Sequence, residues 1–341
     1  MSPGKLVGGG LAFVVLTVGI FWYQFQRIQT ADATPHLDEL HWSWLLLIVL
    51  CLPIETLTSG LRIWLIGRVL QPGLDLRTCI KAEWANAAIS ALTPSQSGGG
   101  PGQIYILSRA GARVGTALSI SLLSFAGTMA SLVLMGLYSL VVLRLDRAGP
   151  LFAAAVWTLI AIATAMALAA TCPGAIRLAI TGGSRAVRRL RGRGSERLTA
   201  RLVEIVETYR NDVVGFLRRG KATFAVVCLL SLTFLLARAF LPYLCLRFLG
   251  IDAWSARHVV EAQMALIFLV FFAPTPGGAG LAEGASLAIM AEVVPVGFAP
   301  YYNLLWRFST MYLAASAGLV CVCRALVEDA GSLIRGRSLV R

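Results

Sequence analysis

Six ionisable residues stand where an apolar chain should carry none: Arg62, Arg238, Arg307, Glu83, Glu261 and Glu283. A charge within a membrane helix is costly, so such residues turn inward, pair with one another or meet a substrate. A guanidinium carries forked donors that match a phosphate. Two Gly/Pro stretches accompany these charges. One runs Thr93-Pro94-Ser95-Gln96-Ser97-Gly98-Gly99-Gly100-Pro101-Gly102-Gln103; the other is Pro274-Thr275-Pro276-Gly277-Gly278-Ala279-Gly280. Neither can continue a regular helix. A helix restarting after such a break presents free N–H groups and a positive dipole end, both suited to an anion. Ser95, Gln96, Ser97 and Gln103 add neutral polar groups, and Glu83 with Asn86 lies one helical turn apart on one face. The chemistry implied is recognition of an anion. Bland readings stay open beside it. Arg62 could extend its head to the inner interface. The glycines could serve only tight packing. Any of the acids could carry a coupling proton or close a structural ion pair, and Glu55, two turns before Arg62, is a further candidate.

The surrounding chain is built to cross a membrane. It has 341 residues, 57% hydrophobic and 14% charged, with mean hydropathy +0.75. Soluble domains carry about 25% charged residues. A polytopic, all-α membrane protein is the expected class. The net charge of +13 is that of basic inner loops rather than of a nucleic-acid surface. No metal site is expected, because His36, His41 and His258 are scattered and Cys321-x-Cys323 has no partner pair. No cofactor is expected either.

Length and polarity predict six spans, at 6–26, 43–67, 114–143, 150–171, 222–249 and 298–325. The first reads as an uncleaved helix rather than a signal peptide, since Ala31-Asp32-Ala33 lies far beyond the apolar run. Orientation follows from loop charge. Residues 68–81 and 172–221 are basic, the latter with twelve Lys and Arg, and are expected on the cytoplasmic side together with both termini. Segment 82–112 then begins and ends inside, and segment 259–296 begins and ends outside. Both are expected to be re-entrant hairpins that point at each other across the midplane. Within 172–221, Leu198, Leu202, Ile205, Val206, Tyr209, Val213 and Phe216 recur at helical steps, which predicts an amphipathic helix on the inner surface. Arg185, Arg188, Arg189, Arg191 and Arg193 either favour anionic headgroups there or simply fix topology.

The two halves repeat an order. Residues 43–143 run Arg62, Glu83, Pro94, Gly99-Gly100-x-Gly102. Residues 222–325 run Arg238, Glu261, Pro274, Gly277-Gly278-x-Gly280. The Arg-to-Glu spacings are 21 and 23 residues, the Glu-to-Pro spacings 11 and 13. A weaker echo pairs Phe125-Ala126-Gly127-Thr128-Met129 with Phe308-Ser309-Thr310-Met311. One integral membrane domain built as an inverted repeat is expected, a design common among transporters.

No HExxH, GxSxG or Walker loop occurs, so an enzyme is not expected. The first Gly stretch, Leu61-Arg62-Ile63-Trp64 and Pro274 to Glu283 resemble the flippase-like transmembrane domain family, the membrane half of bacterial lysylphosphatidylglycerol synthases. The likeness covers about residues 10–325. It implies a lipid translocase, and it makes Arg62, Pro94, Gly99, Gly100, Gly102, Pro276, Gly277, Gly278, Gly280 and Glu283 family motif positions. The sequence ends at Arg341 with no aminoacyl-transferase domain, so the expectation is transport without lipid synthesis. The expected function is movement of an anionic phospholipid or polyprenyl-phosphate lipid between leaflets of a bacterial inner membrane. The alternative is a non-transporting lipid-binding partner of a separate glycosyl- or acyltransferase. Membrane lipids are the expected partners, with a separate lipid-modifying enzyme or a second copy of the chain also compatible.

Overall fold

The computed structural model describes residues 3–28, 37–94, 96–141, 154, 156–164, 196–252, 255–271, 273, 275–291 and 293–334. Among them the regular structure is helical. The helices are α1 (Pro3–Ile28), α2 (Trp42–Leu70), α3 (Leu76–Ala91), α4 (Gly99–Arg109), α5 (Val114–Val141), α6 (Glu196–Arg219), α7 (Lys221–Phe248), α8 (Ala256–Phe271), α9 (Leu281–Ile289), α10 (Ala299–Arg307) and α11 (Leu313–Ile334). Among the described residues, four stretches are long and apolar enough to cross a membrane: Trp42–Leu70, Val114–Tyr138, Lys221–Phe248 and Val296–Ser332. They correspond to four of the six predicted spans. The first prediction falls on α1, in which Val14–Gln26 is an apolar helical stretch. The predicted span 150–171 lies mostly outside the described residues, as do Ser95, Pro274 and the arginines at 185–193.

The bundle exposes large apolar side chains on its outside and buries polar ones beside an apolar core. Leu46, Leu47, Val49 and Leu50 of α2, Leu229 of α7, and Val320, Leu326 and Val327 of α11 point outward. Arg62, Ser59, Ser119, Ser121, Ser124, Ser131, Ser231 and Gln263 are buried. A lipid solvent produces this arrangement, because polar side chains then find their partners only inside.

Helices α2 and α7 form the most extensive contact and run antiparallel. Trp42 packs edge-on against Phe248 at one end, Trp44 meets Tyr243 and the Arg247 guanidinium, and Arg62 meets Ser231 further along. Against this pair sits a helical hairpin, α3–α4. Its first helix begins after Asp75, whose carboxyl Thr78 holds below the usual carboxylate range by hydrogen bonding. That start lies six residues before the predicted segment 82–112, so the basic residues Arg77 and Lys81 belong to the helix itself. The buried face of α3 carries Cys79, Ala82, Ala85, Ala88 and Ala91, a stripe of small residues that lets other backbones come close.

Helix α11 uses that stripe. A Cβ at Gly318 would run into the Trp84 carbonyl. At the far end of the same helix, Arg109 of α4 donates to Asp329 and Glu328 at 2.7 and 2.6 Å, and the Tyr105 hydroxyl donates to Asp329 at 2.6 Å. Hairpin and C-terminal helix are thus fastened at two places. Gly318→Val is expected to force α11 off α3. Overpacking of this kind costs roughly 1–3 kcal/mol or more. Thermal unfolding in detergent checks it: Tm should fall well below that of Gly331→Val, whose glycine has nothing within 4 Å.

A second hairpin, α8–α9, packs on α7 and α10. Between α10 and α11 the helix passes through a π segment, Phe308–Tyr312. Such segments release backbone carbonyls from the usual ladder. Helix α6 is amphipathic, as its periodicity predicts. Val213 and Phe216 are buried, whereas Arg201, Arg210, Arg218 and Arg219 are exposed. Its apolar side rests on α5, with Gly115 pressed against Thr208 and the Ile205 carbonyl.

Candidate anion-binding site

Arg62 is 4% exposed. It does not reach for the interface. Its guanidinium donates to Thr128 Oγ1 at 2.6 Å, to Ser231 Oγ at 3.1 Å and to Ser59 Oγ at 3.2 Å. Helices α2, α5 and α7 each supply one hydroxyl. Two of these hydroxyls pass their own protons to carbonyls one turn back, Thr128 to Ser124 and Ser231 to Val227, which leaves lone pairs for the guanidinium. The Phe234 ring lies 5.2 Å from the guanidinium carbon. The Arg62 Nε has no hydrogen-bond partner, and among the described residues no carboxylate forms an ion pair with this cation. The acid whose field it feels is Glu83 on α3.

Arg238 shares the same ring, 5.7 Å from the centroid. One of its nitrogens donates to the Thr310 carbonyl at 2.9 Å, within the π segment. The bulge therefore supplies an acceptor that a regular α-helix would have used internally. Two guanidinium groups thus border one ring, and among the described residues neither is closed off by an acid.

Glu83 belongs to a chain of contacts joining three helices. Ser121 of α5 donates to Gln103 Oε1 at 2.5 Å, and Gln103 Nε2 donates to Glu83 at 3.5 Å. Of the acids and amides predicted in the first half, Glu83 and Gln103 are therefore joined, and Glu83 is the acid that acts on Arg62. Asn86 does something else. It accepts from Ser90 at 3.3 Å and packs against the Cα of Gly99, where any Cβ would strike both side chains.

The turn between α3 and α4 satisfies its own backbone. Gly98 N–H donates to Thr93 Oγ1 at 2.9 Å, and the Ser97 hydroxyl donates to the Pro94 carbonyl at 2.9 Å. Gln96 stands at φ 54, a left-handed conformation that costs a non-glycine residue energy. Gly102 lies against the Ala85 carbonyl, whereas a Cβ added at Gly100 would meet only Ser121, at 3.9 Å. In the second stretch Gly277, Gly278 and Gly280 stand at φ 58, 70 and 87. The two GG-x-G motifs are alike in letters and unlike in physics. The first needs glycine at Gly99 and Gly102 for close helix packing, the second for left-handed backbone. Their hairpins nonetheless meet: Pro94 and Pro276 form a single antiparallel bridge.

Arg307 is engaged differently from the other two arginines. It is 3% exposed and forms an ion pair with Glu283 at 2.7 Å. A second nitrogen donates to the Gly277 carbonyl at 3.2 Å, and Glu283 in turn accepts from Gly280 N–H at 2.8 Å. This pair pins the second tip. Glu261 makes an ion pair with Arg257 on its own helix at 2.6 Å, so it does not occupy the position that Glu83 holds in the first half. Sequence reasoning missed Ser59, Ser231, Phe234 and the Thr310 carbonyl. Ser59 was within reach, three residues before Arg62 on the same helical face.

Comparison with known proteins agrees with this architecture. Residues 9–318 match the family described as the lysylphosphatidylglycerol synthase TM region, and the chain belongs to that family. It is 24% identical over 309 residues to a UPF0104 membrane protein of Archaeoglobus fulgidus, covering 86% of this chain and 92% of that one. No solved structure matches it.

Proposed function

We propose that this member of the lysylphosphatidylglycerol synthase transmembrane family is a lipid flippase or scramblase, without enzymatic activity, of a bacterial inner membrane. Its cargo is an anionic phospholipid or polyprenyl-phosphate lipid. One observation carries the reading: the buried Arg62 guanidinium, cradled by three hydroxyls and a phenyl ring, has no carboxylate paired with it among the described residues. A phosphate diester is the complementary partner. Arg238 is its second clamp, and Glu83, held by Gln103, keeps the site from holding the anion too tightly. Arg307 positions the second hairpin rather than touching cargo.

The inverted-repeat reading draws support from two features. Helices α2 and α7, the first of each half, cross antiparallel, as equivalent helices of opposite orientation must. The tips of α3–α4 and α8–α9 meet at Pro94 and Pro276. Hairpins entering from opposite faces would meet in this way near the midplane. Both termini and α6 then lie on the cytoplasmic side. The acyl chains stay in lipid while the headgroup crosses between the hairpins.

The same tip bridge favours the second reading, a static lipid binder serving a separate lipid-modifying enzyme. A disulfide separates the two. Pro94→Cys/Pro276→Cys protein, reconstituted in vesicles, is expected to lose movement of fluorescent phosphatidylglycerol when oxidised and to regain it when reduced. The reduced double variant also shows directly whether lipid is moved at all. Equal movement in both redox states would rule out tip separation; no movement by reduced or wild-type protein favours the static binder.

A further inference from the structure

We propose that Glu55 is a proton-binding group linked to the anion site: protonated, it leaves Arg238 to the headgroup phosphate; ionised, it draws Arg238 to itself. The inference rests on the lipid-binding reading above and adds a control to it. Its basis is register. Trp42 lies beside Phe248, Trp44 beside Tyr243 and Arg62 beside Ser231. An antiparallel pair with those contacts sets Glu55 of α2 across from Arg238 of α7. The spacing along α2 agrees, since Glu55 and Arg62 are seven residues apart and share one face.

The carboxyl is not yet committed. Its Oε1 is buried without a hydrogen-bond partner. Among the described residues it forms no ion pair with Arg238, although Arg238 is the positive charge that acts on it. Other ionisable groups around α2 are accounted for. Cys51 on α2 feels the Glu55 charge, and Cys245 of α7 lies next to Cys51. Glu83 of α3 acts on Arg62. Helix α5 carries no charged residue, and Tyr138 is its one titratable side chain. Among the described residues, Arg238 is the charge that acts on Glu55.

The linkage follows from one cation and two anions. An incoming phosphate that engages Arg62 and Arg238 brings negative charge close to Glu55. The carboxylate then takes a proton from water at its buried oxygen, and Arg238 turns fully to the phosphate. Binding and protonation favour each other by the same factor. Because one proton is involved, affinity falls by at most about tenfold per pH unit as pH rises through the titration of Glu55.

Full-length protein in nanodiscs would be titrated with phosphatidylglycerol, with phosphatidylcholine as control, across a pH series. Wild type is expected to bind phosphatidylglycerol more weakly as pH rises. Glu55→Gln, which mimics the protonated acid, should hold the tight affinity at every pH, and Glu55→Asp should keep a slope. Infrared difference spectra should show a carboxylic-acid band on lipid binding that Glu55→Gln lacks. Phosphatidylglycerol binding without a pH slope in wild type, or an undiminished slope in Glu55→Gln, overturns the proton site and leaves the lipid reading intact. Folded wild type that binds no phosphatidylglycerol at any pH overturns both.

Discussion

Arg62→Met should abolish most lipid movement while leaving the protein folded. A charge-assisted hydrogen bond to phosphate contributes about 1.5–3 kcal/mol, which is about ten- to hundredfold in rate if the contact is made in crossing. Arg62→Lys should fall between the two, because an ammonium keeps the charge and loses the fork. Stability should move little, for a reason visible in the hydroxyls. Thr128 and Ser231 each keep a carbonyl acceptor one turn back when the guanidinium is gone. Of the three hydroxyls only Ser59 loses its partner, while a buried cation is removed and methionine fills much of the volume. Movement of fluorescent phosphatidylglycerol in vesicles, read beside the thermal midpoint in detergent, checks both halves. Full transport by folded Arg62→Met would sink the phosphate clamp.

Much of the frame is legible in the sequence. Spans α2, α5, α7 and α10–α11 follow from apolar length, and the breaks at Gly98 and Gly277 follow from residues that cannot continue a helix. The partners of the arginines were not legible, because they depend on register between helices far apart in the chain. Ser231 lies 169 residues from the guanidinium it accepts from, and the Glu283–Arg307 pair bridges 24. Arg62, Arg238 and Arg307 look alike as intramembrane charges. Only packing separates an arginine facing hydroxyls from one facing a carboxylate. The same limit applies to the motif GG-x-G. Sequence equates its two copies, whereas backbone angles give the second a left-handed turn and neighbouring side chains give the first a tight seat. The π segment was hidden too: Phe308-Ser309-Thr310-Met311 continues an apolar helix in every pattern, and the carbonyl it frees matters only because Arg238 stands beside it.

Arg307 and Glu283 lead to the opposite expectation from Arg62. Both are almost wholly buried, and each is the other's counter-charge. Removing one partner strands a charge in a region of low dielectric, which costs about 3–5 kcal/mol for a buried pair. Arg307→Met should therefore unfold or loosen the second hairpin, since the Gly277 carbonyl also loses its donor. Glu283→Leu should be comparably harmful, stranding the guanidinium and freeing Gly280 N–H. The double variant Glu283→Leu/Arg307→Met removes both charges together, and its thermal midpoint should recover most of what either single change loses. A double-mutant cycle on Tm, with coupling of at least about 2 kcal/mol, would identify the pair as an anchor for the tip that meets Pro94. Additive losses would mean that Arg307 acts on something other than Glu283, and the clamp would then have to include a third arginine. The two experiments sort the arginines by phenotype: lost transport with a retained fold at Arg62, lost fold with a compensable partner at Arg307.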